Sequence, residues 1–178
     1  MGGSGRGQFN QYTDIILATL AEKLGDNLQK IRASAEEAFM ASAGHPQIGV
    51  QLCLGFLTND TPPPSKVKNA KGKKPALSSK QVIAKYTTLY RMLHEHQFTH
   101  DQQIQATKYA VKGISHSSND VRVPAYDCMG ELYRALGGDE LSKYYKDLRQ
   151  ASLDALMAKF TEIDEDKGLP TKQPKKAP

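Results

Sequence analysis

Three histidines that lie close together in the sequence are the first candidates for chemistry, because imidazole is a common metal ligand. His94, His96 and His100 fall in and just after a predicted helix. Side chains two residues apart on a helix point in different directions, so His94 and His96 cannot face one ion. No cysteine or carboxylate completes a ligand set at a spacing typical of zinc sites. The sequence therefore predicts no metal and no other cofactor.

The motifs of common active sites are absent from the sequence. It contains no phosphate-binding loop, no nucleophile elbow and no zinc motif. The acidic residues that could act as general acids or bases lie on the polar faces of predicted amphipathic helices, an ordinary place for Asp14, Glu36, Glu37, Asp127 and Glu131. We therefore expect a protein without enzymatic activity.

The cysteines and the hydrophobic pattern predict a protein of the cytoplasm. Cys53 and Cys128 both lie inside apolar helical patterns, so we expect buried, reduced thiols rather than a disulfide. The sequence has no apolar run of about 18 residues that could span a membrane. Residues 1–8 lack the apolar segment of a signal peptide, and we predict that they form a linker outside the fold.

The net charge of +5 is concentrated in two short segments. Residues 61–80 contain six lysines and no acidic residue, and the C-terminal tail adds Lys172, Lys175 and Lys176. Without these lysines the chain would be slightly acidic, so a uniformly basic face for nucleic acid is not predicted. Two interpretations of the lysine-rich segment stay open: a solvated linker, or a contact with an acidic partner.

Apolar residues recur at helical spacing through most of the chain. In residues 119–136 they form one continuous face, made by Val121, Ala125, Cys128, Met129, Leu132 and Leu136. The same pattern occurs earlier, where Ile31-Arg32 and Ala35 match Val121-Arg122 and Ala125. A β-branched residue, an arginine and an alanine in phase with the apolar face indicate an internal repeat of helical units.

We predict four helical hairpins in a domain of residues 9–164. Residues 47–57 alternate as a strand would, but their composition also suits a buried helix, and helical neighbours favour the helix. The predicted hairpins are residues 10–42, 46–96, 100–136 and 139–164, with a disordered basic loop at 58–79 and a disordered basic tail at 165–178.

Several helix boundaries can be predicted from local signals. Capping boxes are expected at Asp26 with Gln29 and at Thr99 with Gln102, and Ser78 or Ser79 should cap another helix. Further expectations are Pro46 at a first helical position, a turn or kink near Gln150, and a first helix that buries Tyr12, Ile15, Ile16, Leu20 and Leu24.

Paired helices with this repeated motif resemble HEAT repeats, which stack into a solenoid. The turn at residues 24–26 followed by Arg32, and the turn at residues 119–120 followed by Arg122, resemble turns of the TOG domain, a HEAT array that binds the αβ-tubulin heterodimer. The fold that this resemblance implies is all-α: a right-handed α-solenoid of about four HEAT-like helical hairpins.

The last helical segment extends the resemblance, and two features depart from it. Residues 144–164 are similar to the end of the single TOG domain of a ciliary-tip centrosomal protein. TOG domains have six repeats, whereas this sequence has room for four at most. Many TOG domains also carry a tryptophan in the first turn, whereas this sequence has none. The resemblance therefore implies a partial TOG domain, its C-terminal portion, or a diverged one.

The resemblance also implies a partner, a location and a binding edge. The partner is αβ-tubulin, with another acidic protein as a further candidate, and the location is the cytoplasm, at the cytoskeleton and the centriole or cilium. Binding would use the turns within the hairpins, at Gly25, Asn27, Lys66, Lys68, Lys73, Lys74, His116, Ser117, Asn119, Lys146 and Arg149. Two roles stay open for Arg32 and Arg122, contact with the partner and a structural role. The resemblance favours the structural role, in which each arginine braces the next turn through an ion pair. The alternative function is a HEAT scaffold that docks a helix or peptide of another protein.

Overall fold

The computed structural model of the chain describes residues 4–61 and 77–166, and in these residues helices alternate with turns. The eight helices of this part, numbered in chain order, are α1 (Ser4–Lys23), α2 (Gln29–Gly44), α3 (Gly49–Thr58), α4 (Ser79–Glu95), α5 (His100–Ile114), α6 (Asn119–Leu136), α7 (Gly138–Tyr145) and α8 (Gln150–Asp166). The prediction of an all-α fold is confirmed. None of the described helices has the length and apolar character that crossing a bilayer requires.

Two predicted helix starts are confirmed by reciprocal capping. At α4, the Gln81 N–H donates to Ser78 Oγ at 3.3 Å, and the Ser78 N–H donates to Gln81 Oε1 at 3.1 Å. At α5, Thr99 and Gln102 form the same pair of bonds, at 3.4 and 2.8 Å. Each box satisfies two backbone groups that would lack a partner at the end of a helix.

The predicted capping box at α2 is wrong. Asp26 Oδ1 accepts the N–H of Leu28 at 3.0 Å, only two residues away, so Asp26 closes a tight turn before the helix begins. The N-cap is Leu28, whose side chain makes no capping bond. The same carboxylate accepts Lys23 Nζ at 3.1 Å. These contacts hold the pKa of Asp26 below its usual value, chiefly through the Leu28 N–H.

Two other helices begin at positions that differ from the prediction. α1 begins at Ser4, so residues 4–8 are helical rather than a linker. Extending a helix that already exists adds one backbone hydrogen bond per residue, so its start is weakly specified by sequence. α3 begins at Gly49, because the Ile48 N–H bonds the His45 oxygen at 3.0 Å and places Pro46 in a turn. The expected turn before Gln150 is present, between α7 and α8.

The helices pack on partners that are close in chain order. The odd-numbered helices contact in sequence, α1 on α3, α3 on α5 and α5 on α7, and the even-numbered helices do the same, α2 on α4, α4 on α6 and α6 on α8. Other contacts form pairs, α1 with α2, α3 with α4 and α5 with α6. Each pair also contacts the helix that follows it, through α2 with α3, α4 with α5 and α6 with α7. One hydrophobic core runs through all eight helices.

α1 packs through a face that differs from the predicted one. Leu17, Ala21 and Leu24 are buried as its core residues, whereas Tyr12, Ile15 and Ile16 are exposed, Tyr12 by 66%. The burial prediction for these last three residues is therefore wrong. α1 carries apolar side chains around more than one face, and α2 and α3 cover only one of them. Periodicity alone cannot choose between two apolar faces of one helix.

Candidate functional site

An arginine holds the turn inside the first hairpin and inside the third. Arg32 Nη1 donates to the backbone oxygens of residues 26 and 27 at 2.8 and 3.0 Å. Arg122 Nη1 donates to the backbone oxygens of residues 116 and 117 at 3.0 and 2.9 Å. The expectation that each arginine braces the next turn through an ion pair is therefore wrong. Each bonds carbonyls of the preceding turn, because the end of a helix leaves several carbonyls without a partner.

The second hairpin uses a buried lysine for the same purpose. Val82 occupies the position of the bracing arginine, four residues after the N-cap, and Lys85 follows at the position where α2 and α6 have a buried alanine. Lys85 is 4% exposed, and its Nζ donates to the backbone oxygens of Phe56, at 3.4 Å, and of Asn59. A cation is favourable at this end of α3, where the helix dipole is negative.

Burial also changes the acidity of the groups around Lys85. The pKa of Lys85 is lowered to about 8, chiefly by desolvation; Asp60 opposes the shift and Lys112 adds to it. Asp60 forms an ion pair with Lys112 and accepts the Tyr109 hydroxyl at 3.0 Å. Asp60 follows α3 directly, whereas Tyr109 and Lys112 belong to α5. The residues that follow α3 are therefore attached to the third hairpin.

A tyrosine pair lies beneath these contacts. The rings of Tyr86 and Tyr109 stack with centroids 4.6 Å apart, and the Tyr86 hydroxyl donates to the Tyr109 backbone oxygen at 2.9 Å. Burial is the main reason why the pKa of each tyrosine lies above its ordinary value. Both phenols therefore stay protonated at physiological pH and act as packing and hydrogen-bonding groups.

Side-chain contacts connect neighbouring hairpins next to their turns. Lys80 Nζ, in the first turn of α4, lies 3.2 Å from Asn27 Oδ1 in the first hairpin's turn. The Tyr126 hydroxyl of α6 donates to the backbone oxygen of Ser152 in α8 at 3.4 Å. With the bonds of Asp60 to α5, these contacts join each of the first three hairpins to a helix of the following one.

The structure describes seven of the predicted binding residues. Five of them are exposed, namely Asn27, Ser117, Asn119, Lys146 and Arg149. The other two, Gly25 and His116, are half-buried. The predicted Lys66, Lys68, Lys73 and Lys74 lie outside the described residues. The described side chains are polar or cationic apart from Gly25, so the surface they form can make hydrogen bonds and ion pairs.

Gly25 has an internal role in the structure. A Cβ added there would lie 2.1 Å from Gln81 Cγ and 2.8 Å from Gln81 Cα. The glycine therefore allows the first turn to approach the start of α4. Its close contact is with the next hairpin, which makes Gly25 a packing residue of the edge.

Lys80 and Lys85 are the residues near the turns that the sequence reasoning missed. In the sequence, Lys80 is one of the six lysines of the charged segment at residues 61–80. Lys85 could have been found by aligning the helix starts, because it lies seven residues after Ser78, as Ala125 lies seven residues after Ser118. A lysine at a repeat position that is otherwise a small buried residue needs a polar partner nearby.

The described residues offer little for covalent or metal chemistry. In residues 4–61 and 77–166, no group of three or more His, Cys, Asp or Glu side chains could hold a metal ion. Cys53 and Cys128 are buried as predicted, and burial raises the pKa of the Cys53 thiol to about 12 and that of Cys128 well above its usual value. Neither thiol is therefore activated as a nucleophile.

Comparison with known proteins adds no relative. A scan against protein-family models matches none of them, and a search of curated proteins finds no matching sequence. The sequence pattern and the turns described above are therefore the features of this chain that bear on its function.

Proposed function

We propose that this chain is a non-catalytic module that binds αβ-tubulin in the manner of a TOG domain, through the turns inside its hairpins. The observation that carries the proposal is the matching construction of the first and third turns. In each, an arginine four residues after the N-cap donates to two turn carbonyls. A braced turn presents its remaining polar groups in a fixed arrangement, which reduces the entropy lost on binding.

The order of helix contacts supports the same proposal. Odd-numbered helices contact odd-numbered ones and even-numbered helices contact even-numbered ones, as in two layers of a helical stack. We infer that the four hairpins form a HEAT-like α-solenoid, with right-handedness as an expectation from the resemblance. In such a stack the turns within hairpins follow one edge, which gives an extended partner a row of contacts. The proposed role is microtubule or ciliary regulation in the cytoplasm.

Size-exclusion chromatography with purified αβ-tubulin tests the proposal. We expect the two proteins to elute together when both are present well above micromolar concentration. Lys146→Glu, at the fourth turn, should weaken this co-elution. Arg134→Glu makes the same charge change near the other end of its hairpin and serves as the matched control, which should bind as the wild type does. If the wild-type chain and tubulin elute separately, tubulin is not its partner.

A second experiment concerns the lysine-rich segment. Neutralising Lys66, Lys68, Lys71, Lys73 and Lys74 together should weaken tubulin binding at low salt. Added salt should reduce the difference in affinity between this variant and the wild type. The melting temperature should stay close to that of the wild type, because the sequence predicts no core position for these lysines and changes outside a core usually alter stability by less than ~0.5 kcal/mol. Equal affinity of both proteins at low salt would identify the segment as a passive linker.

A HEAT scaffold that docks an apolar helix is the second candidate, favoured by one observation. Tyr12, Ile15 and Ile16 form an exposed apolar stripe on α1, away from the braced turns. A double variant, Ile15→Glu with Ile16→Glu, distinguishes the two functions. It should co-elute with tubulin as the wild type does if the turns bind tubulin. Loss of tubulin binding in this folded variant would instead place the contact on the α1 stripe.

A further inference from the structure

A hollow of about 480 Å³ lies between α2 and α4, directly behind the first turn. Leu24, Asn27, Arg32, Glu36, Lys80, Ile83, Ala84, Thr87 and Thr88 line it. It therefore borders the proposed binding edge at the place where the first hairpin meets the second. A space of this size can hold one or two side chains of a partner.

Positive charge predominates around the hollow. Arg32 and Lys80 line it, and within the described part of the chain neither forms an ion pair with a carboxylate. Glu36 is the one acidic residue of the lining, and it lies 3.7 Å from Arg91 Nη1 outside the hollow. Arg91 also pairs with Glu37 and Glu95, at 2.6 Å each, so it balances little of the charge of Glu36. The lining itself holds two cations and one acidic residue, and a second carboxylate would be attracted to Arg32 and Lys80.

The two bracing arginines differ in how much of the guanidinium is used. At Arg122, Nη2 donates to Asn119 Oδ1 at 3.2 Å in addition to the two bonds of Nη1. The position of Asn119 is taken by Gln29 in the first hairpin, and the hydrogen bonds described for Arg32 all use Nη1. Arg32 can therefore brace its turn and also donate from Nη2 to a partner, because a guanidinium has five N–H donors.

The rest of the lining suits the stem of an acidic side chain. Leu24 is buried at the base, and Ile83 and Ala84 are half-buried in the wall formed by α4. An aliphatic stem can pack against these groups while its carboxylate reaches the two cations. A free inorganic anion would leave the apolar wall unused, so the lining favours an acidic residue of a polypeptide.

We propose that this hollow receives a glutamate or aspartate side chain of the protein that docks on the turn edge. Its carboxylate binds Arg32 Nη2 and Lys80 Nζ, and its stem packs on Ile83 and Ala84. This inference rests on the proposed function, since it names the recognition chemistry of the same edge. It predicts that an acidic peptide alone binds at this place, independently of tubulin.

Fluorescence anisotropy with a labelled ten-residue polyglutamate peptide tests the site directly. Lys80→Glu should weaken peptide binding about tenfold, because it removes a contact and adds repulsion. Lys30→Glu is the matched control, since it makes the same charge change on an exposed residue of α2 that does not line the hollow. Thr87→Tyr should also weaken binding, because it fills the hollow without changing charge. Circular dichroism and the melting temperature establish that each variant is folded.

Equal losses in Lys80→Glu and Lys30→Glu would overturn the inference, because binding would then follow overall charge. Unchanged binding in both Lys80→Glu and Thr87→Tyr would also overturn it, because the peptide would then bind outside the hollow. The same four proteins titrated with labelled αβ-tubulin separate the two proposals. Tubulin binding that Lys80→Glu leaves intact, together with no peptide binding, rejects the hollow and keeps the tubulin proposal. If the peptide binds in the hollow but tubulin does not bind, the hollow is supported as a site for an acidic side chain. Its partner is then another acidic protein.

Discussion

Lys85 shows how a single repeat position can be used in different ways. In α2 and α6 the residue seven positions after the N-cap is a buried alanine, and in α4 it is a buried lysine that reaches the end of α3. The arginine brace is absent from α4, so the lysine replaces it from one turn further along. Removing a charged group from water is costly, and the carbonyls of Phe56 and Asn59 offset part of that cost.

The lowered pKa of Lys85 makes stability depend on pH. Its pKa is about 8 in the folded chain, against 10.5 for the free side chain, so the unfolded chain binds more protons between these values. The contribution of Lys85 to stability must therefore rise with pH through this window. We expect that contribution to the free energy of unfolding to increase by about 2 kcal/mol between about pH 7 and about pH 9.5, measured by urea denaturation as the difference between the wild type and Lys85→Met.

Lys85→Met is the control for this prediction, because methionine has a similar length and no charge. Its free energy of unfolding should lack the contribution of Lys85, so the wild type should gain stability relative to the variant over the same pH range. Buried Cys53 and Cys128 lower stability over the same range, because thiols of the unfolded chain ionise there, but they do so equally in both proteins. Measurements stop near pH 9.5, since buried Tyr86 and Tyr109 would also oppose folding once tyrosines of the unfolded chain ionise. An equal slope in wild type and variant would show that Lys85 is not the cause.

Gly113 is required by close packing between α5, α4 and α6. A Cβ at this position would lie 2.5 Å from Tyr86 Cζ and 2.7 Å from Ala125 Cβ. Gly113→Ala should therefore lower the free energy of unfolding by about 1–3 kcal/mol. Gly55→Ala in α3 is the matched change, because its Cβ would meet nothing within 4 Å. It should gain up to ~1 kcal/mol from helix propensity. Urea denaturation measures both, and a loss of similar size in the two variants would contradict the packing argument.

Individual helices differ in how much of their structure local sequence specifies. α4 and α5 begin where a Ser or Thr and a Gln three residues later form reciprocal bonds, and both starts were predictable. α2 has an acidic residue and a glutamine at the same spacing, yet the carboxylate bonds a nearer N–H. A capping residue can satisfy several neighbouring donors, and the path of the preceding turn decides which one it reaches.

The buried face of α1 can be tested with two substitutions on adjacent residues. Leu17 is fully buried and Ile16 is exposed, although both are apolar. Leu17→Ala should cost about 2–5 kcal/mol of unfolding free energy, because it leaves a cavity. Ile16→Ala should change it by less than ~0.5 kcal/mol, as expected for an exposed residue. Thermal or urea unfolding measures both losses. If Ile16→Ala lowers the free energy of unfolding more than Leu17→Ala does, the face predicted from periodicity is the buried one.

At the scale of the whole molecule, the extensive contacts all join helices that are at most two apart in chain order. α4, α5 and α6 have neighbours on both sides, whereas α1 and α8 have extensive contacts on one side. In an array with mainly nearest-neighbour contacts, the terminal units open at a lower free energy than the central ones. The stability of each hairpin therefore depends on its position in the chain.

Native-state hydrogen exchange should show this gradient. We expect the slowest amides in α5 and α6 and faster exchange in α1 and α8, read by mass spectrometry of peptic peptides. Leu17→Ala should accelerate exchange in α1 more than in α6, because the loss is local to the first hairpin. A single exchange free energy for all eight described helices would mean that the chain opens only as one cooperative unit.

The sequence by itself determined the all-α class, most helix positions, the internal repeat of the arginine motif and the burial of both cysteines. These features depend on residues near one another in the chain, through capping, periodicity and turn chemistry. The helical state of residues 49–58 was also predictable from the helices around them, although their alternation alone resembled a strand.

Only the tertiary structure decided which side chains meet. It selected the buried face of α1, because α2 and α3 cover one of its two apolar faces. It placed Lys85 on the end of α3 and Lys80 beside Asn27, contacts between residues 26 or more positions apart. It also formed the hollow behind the first turn from α2 and α4. Such contacts depend on how helices pack, and local residue patterns do not specify that geometry.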